Sequence, residues 1–164
     1  MKHKKLVCLA ALGGLAVVTP SAFAVTADIT AQANVLTPIS LANVRDLDFG
    51  DVFPGLNKSI AYTAATSGKW TIDGEPGKEV SLTFTALPGT LVKGGDNLTI
   101  VYGATDAGSH TSDVPGSATD FDPAAGDTPL LDGVSGELFV WIGGQVQPTE
   151  SQPAGVYTET ITLQ

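Results

Sequence analysis

Residues 137–146 and 155–164 constrain the fold of this chain more than any other stretch, because both alternate at the two-residue period of a β-strand. In the first, Leu138, Val140 and Ile142 alternate with Phe139 and Trp141, so both faces are apolar. A strand of that kind is expected to be covered on two sides. The pair Gly143-Gly144 is where it is expected to bend or bulge. Pro148 and Gln152-Pro153-Ala154-Gly155 interrupt the ladder, and Gly155 suits a turn. In the last strand Tyr157, Ile161 and Leu163 share one face with Glu159, while Thr158, Thr160 and Thr162 share the other.

The same period recurs from the other end of the chain. Val25, Ala27, Ile29, Ala31, Ala33 and Val35 alternate strictly with Thr26, Asp28, Thr30, Gln32 and Asn34. Two readings of residues 25–35 stand open: the first strand of the domain's own sheet, or a free extension that completes a neighbouring subunit by strand addition. In the second, Val25, Ala27, Ile29 and Ala31 are the donor positions. Thr37-Pro38 ends the segment, since proline has no N–H and restricts the residue before it. Further strand patterns cover residues 39–49, 58–65, 69–72, 79–87 and 96–104, separated by Gly- and Pro-containing turns. Residues 105–135 are rich in Gly, Ser, Pro and Asp and read as one long acidic loop. The expected fold is all-β: an Ig-like antiparallel β-sandwich of about seven to eight strands, with no helix needed anywhere.

Residues 1–24 have the pattern of a cleaved secretory signal peptide. Met1-Lys2-His3-Lys4-Lys5 is basic, residues 6–18 are apolar, and Ala22-Phe23-Ala24 matches a small-residue cleavage pattern. The apolar run is short of the roughly 20 residues a membrane span needs, so no integral span is expected once it is removed. Residues 25–164 then form a single domain, secreted to the periplasm, the outer surface or the medium. The chain's one cysteine, Cys8, lies in this leader. No disulfide is therefore expected, although the compartment permits one, and stability must come from packing. The formal charge of −9 becomes more negative still without Lys2, Lys4 and Lys5. That balance argues against nucleic acid as a partner.

Catalytic chemistry has few residues to work with. His110 is the only histidine after the leader, and it lies among small polar residues rather than in a packed pattern. A Ser-His-Asp site needs its imidazole held by packing and a carboxylate. Asp113, Asp120, Asp122, Asp127 and Asp132 supply oxygen ligands of the kind Ca²⁺ prefers, but their spacing matches no calcium-loop motif. Trp70 and Trp141 could stack on sugars if exposed, yet both sit in apolar strand patterns that favour burial. No enzyme activity, cofactor or metal is expected.

Two motifs carry a family resemblance. Thr37-Pro38-Ile39-Ser40-Leu41 followed by Asp46-Leu47-Asp48-Phe49-Gly50 resembles the opening signature of the bacterial "domain of unknown function 4402" family. Gly143-Gly144 followed by Gln152-Pro153-Ala154-Gly155-Val156-Tyr157-Thr158 resembles its closing signature. The signature positions are Asp46, Leu47, Phe49, Gly50, Gly143, Gly144, Gln152, Pro153, Gly155 and Tyr157. The closing pattern is also similar to that of spore-coat-U-like proteins and archaic chaperone–usher pilins. The resemblance implies an exported, non-enzymatic surface subunit of a bacterium, pilin-like or fimbrial. Its partners would be further copies or related surface subunits, and a periplasmic chaperone. Those pilins usually carry a disulfide, which residues 25–164 cannot form. The alternative is a monomeric secreted β-sandwich module that binds a ligand or glycan.

Overall fold

The structure, a computed structural model, describes residues 25–164, so the expected signal peptide lies outside the described residues. Chain contacts divide into two units, Met1–Asn34 and Val35–Gln164. In the first, residues 25–34 carry no strand and are exposed throughout, with Val25 at 93% and Ile29 at 96%. The alternating segment 25–35 is thus not a strand of the domain's own sheets. Alternation makes a segment fit to pair, but pairing needs a free edge and a turn that brings the two together.

Among the described residues, all regular structure lies in the second unit, and it is an all-β sandwich. Its strands are β1 (Ser40–Arg45), β2 (Lys58–Ile60), β3 (Gly68–Asp73), β4 (Phe84–Ala86), β5 (Thr90–Lys93), β6 (Asp96–Val101), β7 (Ala107–His110), β8 (Thr119–Phe121), β9 (Glu137–Ile142), β10 (Gly144–Gln147) and β11 (Thr162–Leu163). A 3₁₀ turn, Pro115–Ser117, is the only helical element among the described residues. Every pairing is antiparallel. One sheet runs β1-β3-β9-β7-β8, a second β2-β10-β6-β5, and β11 pairs with β4 as a short third.

Eleven short strands replace the expected seven or eight, for two local reasons. First, the segment read as a loop, 105–135, contains β7 and β8. Ala107, Gly108 and Ser109 are too small to give a visible apolar period, yet all three are buried against β9. Second, residues 137–146 form two strands in different sheets. Ile142 pairs with Gly68 and Ala107 in the first sheet, and Gly144 pairs with Ile60 in the second. The chain crosses between them at Gly143-Gly144, where only glycine fits. A Cβ on Gly143 would lie 2.1 Å from the Ile60 carbonyl oxygen, and Gly144 has φ of 152°.

Two apolar clusters result. One joins Ile72, Leu138, Val140 and Ala107 to Leu82, Phe121, Leu131 and Leu163. The other packs Leu98, Ile100 and Val146 beneath Phe49, with Leu47, Val52 and Tyr157 at its margin. The outer face of β9 is covered as well, as its apolar pattern requires. Phe139 and Trp141 stack at 6.1 Å, and Lys69 Nζ sits 5.0 and 6.0 Å above the two rings while pairing with Asp113 at 2.6 Å. The Tyr62 ring closes over Gly108, and its hydroxyl donates to Asp120. That bond, more than burial, pushes the phenol up to about 12.

Candidate functional site: an open groove beside the β1 edge

The first sheet ends at β1, and β1 is exposed along most of its length. Leu41 stands opposite Ile72 and Asn43 opposite Trp70, so both lie on the face that the sandwich core occupies farther in. Leu41 is nevertheless 42% exposed, whereas Ile72 is 4% exposed. The second sheet therefore does not reach over β1. At its end Arg45 is fixed by Nε and Nη2 bonds to the carbonyl and hydroxyl of the buried Ser67, at 2.6 and 3.0 Å.

The facing wall is the C-terminal segment. Thr158 exchanges backbone bonds with Val92 of β5 at 3.0 and 3.1 Å, and Gln164 does so with Thr83 at 2.8 and 2.9 Å. Between these anchors residues 159–161 belong to no strand, since Pro88 interrupts the chain they run beside. Ile161 is half-buried and Glu159 and Thr160 are exposed. The free edge of β1 and this strandless segment thus border one opening.

The opening has an apolar floor in two lobes. One, of about 410 Å³, is lined by Leu47, Phe49, Trp70, Leu91, Ile100 and Ile161, with Asn43 and Arg45 at its rim. The other, of about 620 Å³, has Val52, Phe53, Leu98, Val146, Val156 and Tyr157 in its walls. Phe49 and Leu91 line both, so the lobes are adjacent and share a wall. A trough of this kind can take alternate side chains of an extended peptide while backbone groups of the bordering edge pair with it.

Eight of the ten positions that carry the resemblance line this region. Asp46 accepts a bond from Asn43 Nδ2 at 2.9 Å, and Leu47 and Phe49 form the floor. Gly50 donates to Asp48 Oδ1 at 2.7 Å, which turns the chain after Phe49. Gln152 Nε2 reaches the Asn97 carbonyl at 3.1 Å, and the Tyr157 hydroxyl donates to the Pro153 carbonyl at 2.7 Å. Gly155 lets the Lys93 stem pass, bringing Nζ within 5.6 Å of the Tyr157 ring centroid. Gly143 and Gly144 lie apart from the groove, at the crossover between sheets. Trp70, read from the sequence as a strand residue whose ring could stack on a sugar if exposed, is half-buried and lines the groove wall. The donor candidates Val25, Ala27, Ile29 and Ala31 are exposed in the other unit.

The acidic segment is occupied with its own folding. Asp113 pairs with Lys69, Asp120 accepts from Tyr62, and Asp122 caps the Ala124 N–H at 2.8 Å. Asp127 accepts from Ser109 Oγ and from the Thr128 N–H. Asp132 accepts from the Ser135 and Val134 N–H groups and the Ser135 hydroxyl. Among the described residues, no three side chains of metal-binding type converge. His110 bonds through Nδ1 to Ser112 two residues on. Trp141 is 1% exposed and offers no face to a sugar.

The three bonds to Asp132, led by the Ser135 N–H, hold its carboxyl below the ordinary value of 3.8. A depressed folded value means stability that is present above the unfolded value and lost as pH falls through the folded one. Asp132→Asn is therefore expected to lower the urea midpoint at neutral pH, and the difference from wild type is expected to shrink steadily in acid. A difference constant from neutral pH down through the carboxylate range would show that the charge is not what holds this turn.

No family model matches the chain, nor does any curated protein or solved structure.

Proposed function

We propose that this chain is an exported, non-enzymatic surface structural protein, a pilin-like or fimbrial subunit joined to its neighbours by β-strand complementation. One observation carries the reading: an apolar groove bordered by the free edge of β1 occurs in a chain whose residues 25–35 alternate strictly, form no strand and are exposed. Val25, Ala27, Ile29 and Ala31 of one copy would fill the groove of the next. Backbone bonds to the open edge would supply affinity, and the alternating pockets would supply register. Exposed edges with apolar side chains invite pairing, so a periplasmic chaperone covering the groove before assembly is part of the same reading. The family resemblance and the signal-peptide pattern point to the same compartment and class.

Electron microscopy of the exported protein tests it. Fibres are expected from the wild-type chain. Leu91→Asp, which places a carboxylate on the groove floor between the two lobes, is expected to leave only monomers. Wild-type protein that stays monomeric at high concentration would exclude the proposal, as would fibres unaffected by Leu91→Asp.

A further inference from the structure

We infer that Glu75 is a positioning residue that keeps the N-terminal segment out of its own groove, so that the strand it donates goes to a second copy of this chain. The inference rests on the complementation reading above. Pairing of β1 with β3 ends where Ser40 stands opposite Asp73. Past that point the chain remains pinned. Ile39 packs on Gly74, where an added Cβ would lie 3.7 Å from Ile39 Cγ1 and 3.8 Å from its Cα. The Thr37 N–H donates to Glu75 Oε2 at 2.8 Å, across 38 residues of sequence. Residues 37–39 therefore prolong β1 beyond the end of the sheet, beside the turn that follows β3. Pro38 stiffens this stretch, because its ring fixes φ and biases Thr37 to extended backbone.

With residues 37–39 held, a reversal back along β1 falls to Val35 and Leu36 alone. Two-residue hairpin turns need positive φ at one or both central positions, which Gly, Asn and Asp supply. Branched or bulky side chains resist that conformation. Self-closure is thus disfavoured while the Glu75 bond exists, and capture by a neighbour carries no such cost. Without the bond, residues 35–38 become a four-residue loop, a length hairpins also use. Residues 25–34 can then fold back antiparallel to β1 and close their own groove.

The chain from Val25 to Gln164 is compared as wild type, Glu75→Ala and Glu75→Gln, by sedimentation velocity over a range of concentrations and by thermal melting of the monomer fraction. Glu75→Ala is expected to raise the monomer share several-fold. Its monomer is expected to melt higher than wild-type monomer, independently of concentration, as a self-closed sandwich does. Glu75→Gln retains an acceptor oxygen and is expected to behave close to wild type. A Glu75→Ala distribution identical to wild type, with polymer present in both, overturns the role of Glu75 and leaves strand complementation standing. Absence of polymer from the wild-type chain itself overturns complementation, and the inference with it.

Discussion

A chain lacking residues 25–34 is expected to remain monomeric at concentrations where the full chain polymerises, and to melt higher when a peptide of residues 25–35 is added. Among the described residues, all eleven strands and both apolar clusters lie in Val35–Gln164, so the truncation removes the proposed donor and leaves the proposed acceptor intact. The side-chain contribution can be scaled. Burying one Val or Ile is worth about 1.5–3 kcal/mol, while Ala contributes far less. Ile29 and Val25 are therefore expected to dominate the proposed donation. Taking about 2 kcal/mol for Ile29→Ala, strand affinity falls roughly thirty-fold. The same change at Thr30, one residue on and facing the other way, is expected to have little effect. Titrating the truncated chain with wild-type, Ile29→Ala and Thr30→Ala peptides checks this. Equal affinities for the three would mean that register is not set by the pockets, and polymer formed by the truncated chain would remove residues 25–34 from the mechanism altogether.

Gly143→Ala, at the crossover between the two sheets, is expected to produce one of the largest losses of stability of any single methyl addition in the sandwich. The added Cβ would lie 2.1 Å from the Ile60 carbonyl oxygen, 2.7 Å from the Tyr62 nitrogen and 2.9 Å from the Ala61 carbonyl carbon. All three are backbone atoms, so no rotamer change relieves the clash. The neighbouring backbone cannot shift freely, because the Gly143 N–H is held by the Asp106 carbonyl at 2.7 Å and Gly144 begins the pairing with β2. Overpacking against fixed backbone belongs to the rare class that costs about 4 kcal/mol or more. Against a typical total of about 5–15 kcal/mol, such a loss leaves the chain barely folded or unfolded. Gly116→Ala provides the control, since nothing lies within 4 Å of its added Cβ, and it is expected to stay within about 0.5 kcal/mol of wild type. Chemical denaturation of both variants decides the matter. A Gly143→Ala protein within 1 kcal/mol of wild type would mean that the crossover tolerates a side chain.

Much of this fold was legible in the residues themselves. The alternation of residues 137–142 predicted a strand covered on both faces, and Leu138, Val140 and Trp141 are all buried. The face of Tyr157, Ile161 and Leu163 also followed from period two alone, as the side turned inward. These are local properties: a pleated strand sends successive side chains to opposite faces whatever it packs against. Gly143-Gly144 was recognisable as a break for the same reason. That the break carries the chain from one sheet to the other depended on Ile60, more than eighty residues earlier.

Other features had no local signal. β7 is built from Ala107, Gly108, Ser109 and His110, whose burial comes from β9 and the Tyr62 ring rather than from hydrophobicity. The acidic residues gave no sign of their separate partners, because Asp113 and Lys69 are distant in sequence and a carboxylate in a turn looks like one in solution. Residues 25–35 are the clearest case. Their sequence determined that they can be a strand, with Val25, Ala27, Ile29 and Ala31 on one side. Whether a strand pairs, and with which edge, depends on the loops and contacts that set its position, and period two contains no information about those. Only the tertiary structure showed residues 25–34 exposed and without a strand, and an apolar groove lying between β1 and the C-terminal segment.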